Sequence, residues 1–470
     1  MKDEAPTAKT QTASTEQEAA AAKGDPDFST SLVPDEARLS RWPMQMTFWG
    51  AISALFPFVL SSQLAARFGA VNTIAGTFAA VVVAGALGGL VARFAIQTGM
   101  SVDLLSRTLF GKRGGLITTL LIGGVAMFYA VVEGAIISEA LVAYFGWMSR
   151  WNAYLIVVLV STPLVFGGLA LFLDRFNAAL LPVFVAGIVL MICVAIWRNG
   201  YNNAWLAFGP NGGDLDARSF EVMTVYLFFT TTMMFIQDFA RFGRVEDERF
   251  HVAVTFGFPF FFVTFSISGA VGIFLAATLS SNAGFASETA VVTTILDLLG
   301  GLGLVFVVVS QLRGNTINYQ VATVNFQSLF RHLRVSISKI VAALCVGSAI
   351  LFFMLGGVLD ILVLALSYTS IFVGAWVAMA LVHIVCTGHD VILKQFTETG
   401  ADKTGRFFNP SIALWLGACG LGLVFQHGGQ DISAWAAPVA MIVAGAGYFA
   451  LLSFRDGTTG LEPPTETACD

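Results

Sequence analysis

The chain has 470 residues, of which 56% are apolar and only 12% charged, where a soluble domain carries about a quarter charged residues. With a mean hydropathy of +0.77, an ordinary soluble enzyme, a disordered chain, a collagenous chain and a secreted disulfide scaffold are all excluded. The composition is that of a polytopic membrane protein, and the net charge of −5 points to no nucleic-acid partner, because the acidic excess sits in the tails.

Residues 1–40 are rich in Ala, Thr, Glu and Gln and cannot bury enough apolar surface to fold, so a disordered arm is expected there. No basic segment followed by an apolar one opens the chain, so no cleavable signal peptide is expected. A helix needs about 20 apolar residues to cross about 30 Å of hydrocarbon, and about twelve such runs follow. They lie near 46–68, 74–99, 115–146, 153–173, 176–197, 219–242, 252–278, 296–330, 338–357, 359–386, 408–426 and 433–454. The runs are long and lack two-residue alternation, which excludes a closed barrel. With the amino terminus placed in the cytoplasm, Arg67, Arg150, Arg198 and Arg218 fall on the outer flank and Arg313 inside a span. The remaining 20 of the 25 Lys and Arg fall on the inner flank. Positive charge stays inside, so both termini are expected on the cytoplasmic face of the cell (inner) membrane. Five cysteines, none in a Cys-x-x-Cys pair, read as small core-filling side chains.

Polar groups at mid-depth are costly in a membrane and mark pathways. The first span has Pro57 followed by Ser61, Ser62 and Gln63, and the sixth has Thr230, Thr231 and Thr232 behind Phe228 and Phe229. Interrupted helices in corresponding positions of two halves are the mark of an inverted-repeat transporter; alternatively, these hydroxyls only bond back to their own helices. On the third span Tyr129 and Glu133 are four residues apart and share a face. A ring one turn from a carboxylate suits a flat ligand bearing N–H groups, whereas a carboxylate paired with another helix is the competing explanation. Glu139 belongs to a different face and is not counted in the site. The eighth span crowds Ser310, Gln311, Arg313, Asn315, Asn318, Tyr319 and Gln320 into its centre. Asn315 and Asn318 share a face and Arg313 is turned about 200° from Asn315, so amides to a ligand and guanidinium to something else is the natural division.

An enzyme would need a catalytic constellation, but the five histidines map to loops or span ends, and no His-Glu-x-x-His, Gly-x-Ser-x-Gly or Gly-x-x-x-x-Gly-Lys occurs. Polarity concentrates near one level rather than in rings at several depths, which argues against a channel. Asp238 with Arg241, at a cytoplasmic helix end, reads as an ion pair or gate.

The chain resembles the nucleobase–cation symporter family, and most closely its cytosine permease and purine–cytosine permease branch. The resemblance spans about residues 41–385. It rests on Trp42-Pro43-Met44-Gln45, on Arg107-Thr108-Leu109-Phe110-Gly111 in the loop after the second span, and on Asp238-Phe239-Ala240-Arg241-Phe242-Gly243-Arg244. Asn315-Thr316-Ile317-Asn318, with Phe326-Gln327 downstream, completes it. It implies a five-plus-five inverted repeat of the LeuT type plus two extra helices: a first repeat over 41–215, a second over 216–386, a loop and spans 11 and 12 over 387–455, and a tail over 456–470. It also implies a heterocycle sandwiched between Tyr129, where the family usually has Trp, and Phe229. Phe228 and Thr231 fall where the cytosine permease has serines, Glu133 where a relative has Gln, and Asn315 and Asn318 on the amide motif; Gln63 is added as a hydrogen-bonding residue. Relatives that use sodium ligate it with eighth-span oxygens at positions that here are Ser310, Arg313 and Gly314, with Ser61 on the first span. A guanidinium has no acceptor, so Arg313 is expected to fill the ion site, bonding the opened first-span carbonyls or pairing with Glu133. Coupling then falls to H+ rather than Na+, with Glu133 as carrier, since a buried carboxyl holds its proton more readily than a hydrated one. No cofactor is expected, and a monomer is expected to suffice. The substrate class implied is a nucleobase, or a hydantoin, allantoin or thiamine-precursor pyrimidine.

Overall fold

The computed structural model describes Phe28 and residues 31–50, 55–111, 114–166, 174–210, 213–279, 288–356, 362–399 and 409–459. The expected disordered arm, apart from its last residues, and the end of the tail lie outside them. The regular elements are helices: α1 (Arg41–Phe48), α2 (Phe56–Phe68), α3 (Ala70–Thr98), α4 (Val102–Phe110), α5 (Gly115–Phe145), α6 (Arg150–Ser161), α7 (Asp174–Asn199), α8 (Arg218–Val225) and α9 (Thr230–Ala240). Then come α10 (Val245–Leu279), α11 (Glu288–Leu299), α12 (Gly301–His332), α13 (Lys339–Leu355), α14 (Leu362–Thr387), α15 (His389–Thr399), α16 (Pro410–His427) and α17 (Ala436–Thr459). The one strand-like pairing among the described residues is a parallel bridge between Leu39 and Gly243.

Each expected run contains a helix. Among the described residues, seven helices (α3, α5, α7, α10, α14, α16 and α17) are long and apolar enough to cross a membrane, or eight when the bent pair α8–α9 is counted as one span. α6 and α13 are apolar but shorter, while α12 has 32 residues and is diluted by the polar residues of its middle. Two sequence readings are corrected. The run 296–330 is two helices, because Gly300 turns with φ 59° and ends α11 before α12 begins. The segment after the second span is the helix α4, whose first turn is capped when Ser101 accepts the Leu104 N–H at 3.2 Å. Of the four cysteines described, only Cys419 is buried; Cys193, Cys345 and Cys386 are exposed, so the core-filling role holds for one.

Packing divides eight of the first ten spans into two groups, with α7 and α14 touching both. α2, α3, α8, α9 and α10 pack on one another, and α5, α6, α12 and α13 do likewise, with α5 and α12 in contact along much of their length. Small residues permit these approaches: a Cβ on Gly272 of α10 would lie 2.4 Å from the Phe58 carbonyl of α2. α16 and α17 pack on α14, outside both groups.

Each expected interruption lies just past a helix end rather than at one: Ser61, Ser62 and Gln63 sit inside α2, and Thr230–Thr232 open α9. α1 ends at Phe48 and α2 starts at Phe56, with Pro57 in its first turn, where a missing N–H costs nothing. α8 and α9 are joined by a 3-10 turn, Tyr226–Phe229. A third irregularity was not expected: α10 contains two π-helical stretches, His251–Thr255 and Phe262–Ile267, on either side of Gly257 and Pro259. Proline cannot donate to the helical ladder, and π turns accompany functional sites.

Candidate functional site

A cavity of about 140 Å³ lies between the two helix groups. Its size matches an apolar cavity of about 150 Å³ that takes benzene, so it suits one planar ring or a small fused one. The breaks supply one wall: Phe48 ends α1, Phe56 and Pro57 open α2, and Thr231, Thr232 and Phe235 follow the 3-10 turn on α9. α10 adds Phe260, Thr264 and Phe265, the last two from its second π stretch. The opposite wall is α5, with Tyr129, Val132, Glu133 and Ile136, and α12, with Gln311, Gly314, Ile317 and Asn318.

The polar edge is built at one level. Asn318 donates from Nδ2 to Glu133 Oε2 at 2.8 Å. Glu133 lies against the bare backbone of Gly314, where a Cβ would stand 2.5 Å from Oε1. Gly314 is therefore the notch that lets the carboxylate in. Tyr129 Oη and Thr231 Oγ1 approach to 3.5 Å across the cavity. Glu133 is the only acid among the described lining residues, and no Lys, Arg or His stands among them. The site thus offers aromatic faces, one carboxylate and an amide: it can stack a ring and accept hydrogen bonds from its edge.

Of the residues expected at a site, Tyr129, Glu133, Thr231 and Asn318 come together here. The Phe228 side chain lies outside the described residues. Phe229 is buried 6.0 Å from Phe261, ring to ring, and does not line the cavity; Phe235 supplies the sixth-span ring instead. Gln63 is not in the lining either. Asn315 is fully buried, with neither amide atom hydrogen-bonded among the described residues. The cavity face of α12 runs through Gln311, Gly314, Ile317 and Asn318, and Asn315 falls about 40° beyond its edge on an ideal helix, so Asn315 and Asn318 do not share the ligand-facing side. Arg313 does not meet Glu133: its guanidinium stands 5.7 Å over the Phe184 ring of α7. Residues 51–54 of the first span lie outside the described residues, and with them the carbonyls Arg313 was expected to bond. Ser310 donates to the Val307 carbonyl at 2.9 Å, and Ser61 shares a 2.6 Å hydrogen bond with Tyr226, tying α2 to the sixth-span break.

Asp238 and Arg241 lie at the Asp103 end of the bundle, away from the cavity. Asp238 Oδ1 accepts the Val102 N–H at 2.8 Å, capping α4, and its carboxyl also bonds Asn325 of α12. Arg241 donates to the Asp238 main-chain carbonyl at 3.0 Å and to the Phe28 carbonyl at 2.7 Å. Together they join α9, α4, α12 and the segment before α1. Glu139, left out of the site, is paired with Arg150 at 3.0 Å.

Sequence reasoning missed Phe48, Phe56, Phe235, Phe260, Thr264 and Phe265, and it named Gln311 and Gly314 without giving them a part in the cavity. Phe235 carried a signal, standing four residues from Thr231 on the same helical face. Thr264 carried another, as a hydroxyl deep in an apolar run just past Gly257 and Pro259.

No protein-family model matches the chain, and no curated protein matches it in sequence. Solved structures do. Mhp1, a nucleobase-cation-symport-1 family transporter, in a closed conformation with bromovinylhydantoin bound, is 15% identical with a TM-score of 0.74, over 93% of this chain and 97% of that one. Its inward-facing conformation is 16% identical with a TM-score of 0.69 over the same shares. MhsT in complex with L-phenylalanine is 16% identical with a TM-score of 0.51, over 89% of this chain and 98% of that one. The chain therefore has the LeuT-type fold that Mhp1 and MhsT share.

Proposed function

We propose that the chain is a secondary transporter that imports a nucleobase or related heterocycle by cation-coupled alternating access. The observation that carries this is the cavity between two separately packed helix groups, walled by Tyr129 and Phe235 and edged by Glu133 and Asn318 where two helices are broken. Rocking of one group against the other would open it to each side in turn. Tyr129 and Phe235 stack the ring, while Glu133, Asn318 and Gln311 take its edge. The two repeats are 41–215 and 216–386, and both termini are cytoplasmic.

The coupling ion in this proposal is H+, carried by Glu133. Arg313, buried on α12, supplies a fixed positive charge that no cation site would tolerate. A hydantoin is a second reading of the substrate, favoured by the bromovinylhydantoin held by Mhp1 at the same fold. The test is uptake of a labelled panel of nucleobases, hydantoins, allantoin and aminopyrimidines into proteoliposomes, with sodium and proton gradients imposed separately. Saturable, proton-driven and sodium-indifferent uptake of one member is the expected result. Chemical change of the substrate would point to an enzyme, and non-saturable flux to a channel.

A further inference from the structure

Five side chains of α12 recur at four-residue intervals: Gln311, Asn315, Tyr319, Thr323 and Gln327. All are buried. Four of them carry a polar atom with no hydrogen-bond partner among the described residues: Gln311 Nε2, both amide atoms of Asn315, the Thr323 hydroxyl and Gln327 Oε1; the Tyr319 hydroxyl meets that of Thr162. A four-residue step turns about 40° past a full circle and rises about 6 Å, so the five describe a shallow spiral about 24 Å long. Buried polar atoms without partners are individually uncommon, because each forfeits its hydration. Four at one period, with the Tyr319–Thr162 hydroxyl pair between them, form a seam.

Both ends of the seam are chemically defined. Gln311 lines the cavity beside Gly314, on which Glu133 rests. Past Gln327, the Ser328 carbonyl lies 2.9 Å from His332 Nδ1. His332 Nε2 is 3.5 Å from Asp103 Oδ1, an oxygen that is itself buried with no hydrogen bond among the described residues. Midway, the Tyr319 hydroxyl pairs with that of Thr162, and each hydroxyl keeps further hydrogen-bonding capacity for a water.

We propose that this seam holds a file of ordered water that conducts protons between Glu133 and the Asp103–His332 pair. The inference rests on the proton-coupled reading above. Buried water makes about three hydrogen bonds to groups otherwise unsatisfied, and amides and hydroxyls offer both donors and acceptors, so such a file can carry a proton in either direction. At each hop one O–H bond forms as another breaks; the proton leaving Glu133 ends on Asp103 or His332, and no other reactant is required. The charged and titratable groups facing the two ends are Tyr129 at Glu133, and Arg107 and Asp238 at Asp103. Arg313, whose charge would repel a passing proton, is turned about 160° from Asn315 and faces Phe184.

The test uses the full chain in proteoliposomes with Thr323→Val, Tyr319→Phe and the double variant, Thr323→Ser serving as rescue. Uptake driven by an imposed pH gradient should fall about ten-fold in each single variant, as for loss of one hydrogen-bonded link, and further in the double. Substrate exchange at equal pH on both sides should stay within about two-fold, since neither residue lines the cavity. Thr323→Ser should restore proton-driven uptake. Wild-type proton-driven uptake in the double variant would overturn the proposal, as would a rise in thermal midpoint in both single variants, because removing a hydroxyl from a dry site relieves it. If the wild-type chain transports without responding to a pH gradient, the proton-coupled reading fails and takes the conducting role with it; a wild-type response retained by the variants overturns the file alone.

Discussion

Gly314→Ala isolates the carboxylate of the site. The new Cβ would stand 2.5 Å from Glu133 Oε1, 3.2 Å from its Cδ and 3.4 Å from Oε2. Carbon and oxygen do not approach so closely, and the yielding partner is the end of a flexible side chain, so Glu133 moves and its 2.8 Å hydrogen bond from Asn318 is lost or bent. A hydrogen bond to a charged group is worth about 1.5–3 kcal/mol. If the substrate edge depends on that carboxylate, its Kd should weaken by about ten- to a hundred-fold. Stability should move the other way or not at all: alanine is better than glycine inside a helix by about 1 kcal/mol, which offsets the displaced contact. Affinity and fold are thereby separated. Equilibrium binding of the transported heterocycle to purified protein, with thermal unfolding of the same sample, reads both. Unchanged affinity in Gly314→Ala would refute the placement of Glu133 at the substrate edge; a parallel collapse of the thermal midpoint would show that Gly314 serves packing alone.

Other predictions follow from the same geometry. Tyr129→Ala and Phe235→Ala should each weaken binding by about five- to a hundred-fold, the scale of about 1–3 kcal/mol for a base stacked on an aromatic ring, while Phe229→Ala should lower the thermal midpoint and leave substrate selectivity alone. Replacing external sodium with choline should not change uptake by the wild-type chain, as measured by initial rates at fixed pH; a strict sodium requirement would contradict the role given to Arg313. Asp238→Ala removes the acceptor for the Val102 N–H and the link to Asn325. It should speed alkylation of a Thr232→Cys probe, in a background free of the other cysteines, from the Asp238 side of the membrane; an unchanged rate would show that Asp238 closes nothing.

Hydropathy made the spans legible because a bilayer constrains helix length and apolarity directly. The two breaks were legible because Pro57 and the Thr230–Thr232 cluster sit where a continuous apolar helix has no use for them. What sequence could not supply was rotation about each helix. Phe229 closes the 3-10 turn Tyr226–Phe229, about 160° from Thr231 and turned to Phe261, whereas Phe235 is about 40° from Thr231 and turned to the cavity. On α12 the paired amides looked equivalent because they are three residues apart, yet the notch at Gly314 centres the ligand-facing side toward Gln311 and Asn318 and leaves Asn315 beyond its edge. Arg313 was recognisable as anomalous, but its neighbour Phe184 lies on α7, far away in sequence, and nothing local announces it. The π turns of α10 were likewise invisible to a period-3.6 reading, which hid Thr264 and Phe265.

A structure determined with the transported heterocycle bound tests the central claim most directly. Ring density between Tyr129 and Phe235, with its edge within hydrogen-bonding distance of Glu133 and Asn318, is the expected outcome. Density anywhere outside the space between the two helix groups, with those four side chains untouched, would contradict it.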